Sequence, residues 1–316
     1  TSLEVLNGYE IPFLEKVNRL YDIKPELIDD SVFYKIAHEL DSIYEGTGGL
    51  AERMESIQKQ RAVPEDKIEE IFKKACEIVR GRTIELFPGL LPGEEEFSVK
   101  AVKNEPWGAY NWYLGNYKSR IDVNTDIPNA WNRILLTAAH EGYPGHHTEH
   151  VVKEKLLYIE EQRFEHSILL INTPECVIAE GIGNTGLDVL FTVPEQVKIG
   201  LEEFCQNPKK EYSLDALIAE NEATKNLMAL MNNLAIRAHV DDWSDDQLVE
   251  YGLDFGFVIE ERLRQNLMFI RSPLWSTYVF NYFIGEMLIK KKFGDRPSPD
   301  DFKKLLTQPI LPSDLI

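Results

Sequence analysis

Cysteine is scarce in this 316-residue chain: Cys76, Cys176 and Cys205 are all there is. An odd count without Cys-x-x-Cys spacing argues against a disulfide framework and fits a reducing compartment. The three read as small buried hydrophobes. Long apolar runs are missing as well. Leu274 to Ile289 comes closest, and Ser276, Asn281 and Glu286 interrupt it, so no segment reads as a membrane span. No charged stretch followed by an apolar one stands at the start, which gives no sign of a signal peptide. A first residue of Thr1 reads as a processed or truncated chain. Basic surplus is absent too. The net charge is −19, and such a surface repels phosphate backbones and anionic lipid, so neither nucleic acid nor membrane is expected as a partner. Together these absences lead to the expectation of a soluble, cytoplasmic protein.

What is present is hydrophobic content of 43%, enough for a large core. Apolar residues at helical spacing over Ser31–Tyr44 and Pro64–Leu86 predict helices, the second opened by the acidic turn Pro64-Glu65-Asp66. After the Pro/Gly break of 88–93, Phe97–Lys103 alternates as a strand. Tyr110–Thr125, with Gly115-Asn116 in its middle, reads as a hairpin. Helical periodicity then returns over Asn129–Tyr143, Tyr158–Ile171, Pro174–Leu190, Pro194–Gln206, Ser213–His239, Ser244–Arg271, Ser276–Lys292 and Pro299–Leu306. Ser244 to Gln247 has the form of a capping box. The expected fold is therefore mainly α: a helical N-terminal region (1–95), a small β ribbon (96–127) and a second helical region (128–316), together forming one compact unit.

Four of the seven histidines fall between His140 and His150, in His140-Glu141-Gly142-Tyr143-Pro144-Gly145-His146-His147. In the zinc-peptidase pattern His-Glu-x-x-His, histidines four apart on a helix face one metal, and the Glu between them serves as base. Here the fourth position is Pro144, which binds no metal. On an undistorted helix His147 would lie about 10 Å from His140 along the axis, too far to share an ion. Pro144 breaks the helix and Gly145 tolerates unusual dihedrals, so a bulge there brings His146 into the ligand position; His147 remains the alternative. Glu180 lies in the apolar stretch Val177 to Gly183, where a carboxylate needs a partner, and is the expected third ligand. Glu175, in a first helical turn, is already accounted for by the helix dipole.

These residues resemble the bacterial family labelled domain of unknown function 885, whose signature is His-Glu-x-x-Pro-Gly-His, often with a second His. Asp122-Val123-Asn124-Thr125 is similar to the strand before its motif, Glu180-Gly181 to its downstream Glu-Gly, and Tyr282-Phe283-Ile284-Gly285 to its late Tyr-x-Ile-Gly. His239, four residues before Trp243-Ser244, also matches. The likeness covers roughly 105–290. Ala235, where the family tends to have Asp, and Glu149, where it has Gln, depart from it. The family is itself similar to helical gluzincin peptidases, so the resemblance implies a gluzincin-like metallopeptidase acting on short peptides or at chain ends.

The implied chemistry is a Zn2+ ion held by His140, His146 and Glu180, with Glu141 as general base. Tyr282 and His239 are the candidates for stabilising the oxyanion. Arg120 and Arg271 are candidates for a substrate carboxylate. The strand at Asp122–Thr125 is a candidate edge for an extended peptide. Two other functions stay open: a zinc hydrolase of non-peptide amides or esters, and a catalytically dead helical scaffold. A di-iron bundle needs Glu-x-x-His pairs, and no histidine here has Glu three residues before it.

Overall fold

A computed structural model describes residues 1–105, 107–207 and 212–316. The chain is mainly helical, with one small sheet. The helices are α1 (Ser2–Leu6), α2 (Phe13–Tyr21), α3 (Asp30–Ile43), α4 (Leu50–Gln60) and α5 (Ile68–Leu86). After strands β1 (Glu96–Val102), β2 (Ala109–Gly115) and β3 (Lys118–Asn124) come α6 (Trp131–Glu141), α7 (His146–Lys153), α8 (Pro174–Leu190), α9 (Val193–Ile199) and α10 (Leu214–Thr224). Helices α11 (Ala229–His239), α12 (Asp245–Asp254), α13 (Glu260–Ile270), α14 (Phe280–Phe293) and α15 (Pro299–Thr307) complete the order. One hydrophobic cluster runs from Val17 to Leu315, so the N-terminal, β and C-terminal regions share a core. No single described helix is long and apolar enough to cross a membrane.

The sheet has the order β1-β3-β2. β2 and β3 form the expected hairpin, turned by Gly115, Asn116 and Tyr117 in left-handed conformation. β1 joins β3 in parallel, Val99 facing Ile121. The strand expected as a free edge, Asp122–Thr125, is therefore mostly the central strand, bonded on both sides and closed to a peptide. β2 is an outer strand and begins at the cleft.

Several helical expectations change. Tyr158–Ile171 is no continuous helix: a π-helical segment Glu154–Glu160 gives way to a 3-10 turn at Phe164–Ser167. Left-handed Gln162 and Asn172 stand on either side of the 3-10 turn. The four apolar residues Ile168 to Ile171 are consecutive, which would place them all round a helix, and here they are exposed. Ser213–His239 divides into α10 and α11, and Ser244–Arg271 into α12 and α13, where left-handed Gly256 ends the first helix. Ser244 caps α12 as expected, its side chain accepting from the Gln247 N–H. The last long helix starts at Phe280, not Ser276.

Helix α8 is central and glycine-rich, which helix propensity alone disfavours. Its glycines are there for close approach. A Cβ on Gly181 would lie 2.6 Å from the Gly285 carbonyl of α14, and one on Gly186 3.0 Å from the Pro144 ring. Pro174 at the first helical turn and the buried Val177, Ile178 and Ile182 complete it.

Candidate metal centre

Helix α6 ends at Glu141, and the chain reverses through Gly142, Tyr143, a cis Tyr143–Pro144 bond and Gly145 before α7 begins at His146. The Gly145 N–H donates to the Ala139 carbonyl at 3.0 Å. A Cβ there would stand 2.0 Å from the His140 carbonyl, so only glycine closes the turn so tightly. The inserted residues bring the rings of His140 and His146 to 4.6 Å between centroids, nearly perpendicular at 85°.

Glu180 comes from α8. Its Oε2 lies 3.3 Å from His140 Nε2. One ligand atom each from His140, His146 and Glu180 all fall within 4.8 Å of one another, a set that can hold a metal ion. His147 turns away. It is fully buried, with Nδ1 2.8 Å from Ser119 Oγ and Nε2 3.3 Å from Glu95 Oε2. Glu95 also accepts from Tyr143 at 2.5 Å and Arg80 at 2.7 Å, so this buried network pins the turn before α7.

The surroundings of the three residues fix their orientation. Asn184, one turn after Glu180, donates its amide to the Tyr282 carbonyl at 2.9 Å. That sets which end of the amide is oxygen, and the oxygen lies 3.1 Å from His140 Nδ1. In a neutral ring Nδ1 is then the N–H, and Nε2 presents a lone pair to Glu180 Oε2. Two acceptors then face each other, and Glu180 Oε2 is buried without a hydrogen-bond partner. A cation between them resolves this arrangement. Gly183 makes room for the His140 ring, since a Cβ there would stand 2.6 Å from its Nδ1.

The other Glu180 oxygen accepts from the Tyr278 hydroxyl at 2.7 Å. Burial pushes the Glu180 carboxyl up, but His140, His146 and Tyr278 outweigh it and hold its pKa below the ordinary value. Around His146 burial acts downward, yet the carboxylates of Glu149, Glu180 and Glu141 push its pKa up to about 9. Both shifts mark a site that favours positive charge. Glu149, where the sequence departs from the family pattern, faces His146 Nδ1 at 4.0 Å. Lys153 holds its other oxygen at 2.7 Å and bridges to Glu175 at 2.7 Å.

A cleft of about 620 Å³ opens onto the centre, lined by His140, Glu141, Asn184 and Tyr282 among others. Glu141 is largely buried, and among the described residues no donor bonds its carboxylate; its carbonyl accepts from Asn111 on β2 at 2.7 Å. Burial and then the charges of Glu180 and Glu141 push the Tyr282 hydroxyl well above its ordinary pKa, so it stays a proton donor.

His239 is not brought to this cleft. Its Nε2 lies 2.8 Å from the Ile270 carbonyl and its ring stacks on Phe13 at 4.1 Å. Arg120 binds Asp122 at 2.8 Å, and Arg271 binds Asp245 at 3.0 Å, so neither is free for a substrate. Sequence reasoning missed Asn184 and Tyr278. Asn184 stands four residues after Glu180 on α8 and therefore on the same helical face, while Tyr278 lies in the turn before α14, its ring 5.7 Å from that of Tyr282.

No family model matches this chain, and no curated protein does. Among solved structures, one titled the "putative lipoprotein from Colwellia psychrerythraea" aligns over 96% of this chain and 53% of its own, at TM-score 0.65 and 15% identity. A "putative lipoprotein of unknown function from Shewanella oneidensis" aligns over 97% and 62%, at TM-score 0.54 and 15% identity. The chain thus spans between half and two thirds of the length of these structures, and identity this low shows a shared fold alone. The cytoplasmic expectation is corrected here: both of these structures are named as putative lipoproteins, and a lipid-anchored class is not a cytoplasmic one.

Proposed function

We propose that this protein is a zinc-dependent peptidase whose metal is held by His140, His146 and Glu180. The observation that carries the reading is the cluster of ligand atoms from His140, His146 and Glu180 within 4.8 Å of one another, with Glu180 Oε2 buried without a hydrogen-bond partner 3.3 Å from His140 Nε2. Two histidines and one carboxylate with an open side toward a cleft is the donor set of catalytic zinc. The likeness to the His-Glu-x-x-Pro-Gly-His family and its gluzincin relatives supports the same reading.

Zinc bound there supplies Lewis-acid chemistry, acidifying a water and polarising a carbonyl. The residues do the rest. Glu141 sits beside the ligands in the cleft with an uncommitted carboxylate, placed to take the proton of the attacking water and pass it to the leaving amine. Tyr282, kept protonated by its surroundings, donates to the oxygen that gains charge in the transition state. Asn184 and Glu149 orient the two histidine rings. β2 offers an outer strand along which an extended peptide can pair.

The test is elemental analysis of protein never exposed to chelator, followed by a peptide-library digest read by mass spectrometry. About one zinc per chain, and cleavage that chelator abolishes and zinc restores, is the expected result. Metal-loaded protein that cleaves esters or non-peptide amides but no peptide would redirect the reading to another zinc hydrolase. Absence of stoichiometric metal would end it.

A further inference from the structure

The cleft holds two cations that have no carboxylate partner among the described residues. Of the thirteen arginines in the chain, ten form ion pairs with Asp or Glu. The other three are Arg133, Arg262 and Arg296. Arg296 reaches the Val189 carbonyl at 3.4 Å. Arg133 and Arg262 both line the cleft that contains His140, Glu141 and Tyr282. Arg262 has only the Gln265 side-chain oxygen at 3.2 Å. The Arg133 guanidinium has no hydrogen-bond or ion-pair partner among the described residues. Glu220, whose charge reaches Arg133, has its oxygens engaged by Arg61 at 2.6 and 2.9 Å and by Tyr44 at 2.7 Å. The acidic residues of the cleft do not neutralise the pair either: Glu55 is bound to Lys59 at 2.8 Å, and Glu141 is the base.

In a chain of net charge −19, where carboxylates outnumber cations, two unpaired guanidinium groups in one cleft are poised for an anion. A planar guanidinium matches a carboxylate with two parallel hydrogen bonds. Position supplies the spacing. Arg133 and His140 are seven residues apart on α6, about 20° short of two turns, so they share a face about 10 Å apart along the axis. That is the length of about three residues of extended peptide. Arg262 reaches the same cleft from α13, so the cations come from two separate elements.

Resting on the peptidase reading above, we propose that Arg133 and Arg262 form a carboxylate-recognition subsite, which binds a negative charge of the substrate about three residues from the bond that is cut. The group is either the C-terminal carboxylate of a short peptide or an Asp or Glu side chain. The acidic surface repels anionic peptides generally; the arginine pair selects those that place a carboxylate at this distance.

The test uses metal-loaded protein and one peptide sequence in three forms: free C-terminus, C-terminal amide, and amide with a single Glu scanned along it. Wild type is expected to prefer a carboxylate-bearing form over the neutral amide by about tenfold or more in kcat/KM, mainly through KM. Arg133→Gln and Arg262→Gln are each expected to cut that preference by about ten- to a hundredfold or to the level of no preference. Arg296→Gln is the control and leaves it unchanged. A preference lost on amidation assigns the chain end, and one restored by the Glu scan assigns a side chain. The same peptides are titrated calorimetrically into the Glu141→Gln protein, so recognition is read without turnover. If wild type cleaves none of them but this protein binds carboxylate forms through the two arginines, the peptidase reading falls and the subsite stands. Equal handling of charged and neutral forms by wild type, or a preference that survives the double arginine substitution, overturns the proposal.

Discussion

Asn184 fixes the tautomer of His140: its amide nitrogen is committed to the Tyr282 carbonyl at 2.9 Å, so its oxygen accepts from His140 Nδ1 at 3.1 Å. In the neutral ring the lone pair then sits on Nε2, facing Glu180. Replacing Asn184 with Ala removes that constraint without touching a ligand. Zinc affinity is expected to fall about 10- to 100-fold, the usual cost of losing a group that orients a metal-binding histidine. Competition with a metal indicator dye measures it, and unchanged affinity would show that Asn184 has no such role.

His146 and His147 are neighbours in sequence with opposite duties. His146→Ala is expected to abolish metal binding. His147→Ala is expected to keep the metal but to destabilise the fold by about 1–3 kcal/mol, since the buried Glu95 and Ser119 each lose a partner. Denaturant unfolding with metal analysis on both variants separates them. Metal lost from the His147 variant and kept by the His146 variant would reverse the assignment.

The two tyrosines of α14 and its approach also divide. Tyr278→Phe frees one oxygen of Glu180 and should weaken metal binding. Tyr282→Phe should leave the metal in place and lower kcat by about 10²–10³-fold at little change in KM, as for the loss of an oxyanion donor. Steady-state kinetics with zinc content on the same samples decides, and wild-type turnover in Tyr282→Phe would leave that side chain a packing role only.

Acid stability follows from His150. Burial pulls its pKa down to about 4 from 6.5. The folded state therefore takes up a proton less readily than the unfolded chain. The stability this confers is complete above about pH 6.5 and is lost as pH falls toward 4. Melting temperatures of chelator-treated protein should decline across that window, and less steeply in His150→Phe, whose ring can keep the stacking on Tyr113. Equal slopes in both proteins would remove His150 as the cause.

Much of this could be seen in the sequence because single residues carried it. Pro174 opened α8, and its end at Leu190 lay where the apolar pattern stopped. The Pro144-Gly145 pair announced a break in the motif helix, and the helix does end there. What failed depended on partners far along the chain. The segment Tyr158–Ile171 has apolar residues but no surface to bury them against, so periodicity alone overstated it. β3 read as an edge because its pairing with β1, twenty residues earlier, leaves no local trace. His239 matched the family pattern, while its ring is held by Phe13 and Ile270, contacts that only the fold reveals.

The most direct measurement is of Glu141→Gln, because it separates an enzyme from a metal-binding scaffold. Glutamine keeps the shape of the side chain but cannot accept the proton. Zinc content and peptide hydrolysis are measured on one preparation, beside wild type. The account predicts zinc close to one per chain, a folded protein, and hydrolysis reduced by at least about 10²–10⁴-fold. Hydrolysis at the wild-type rate with zinc in place would contradict it.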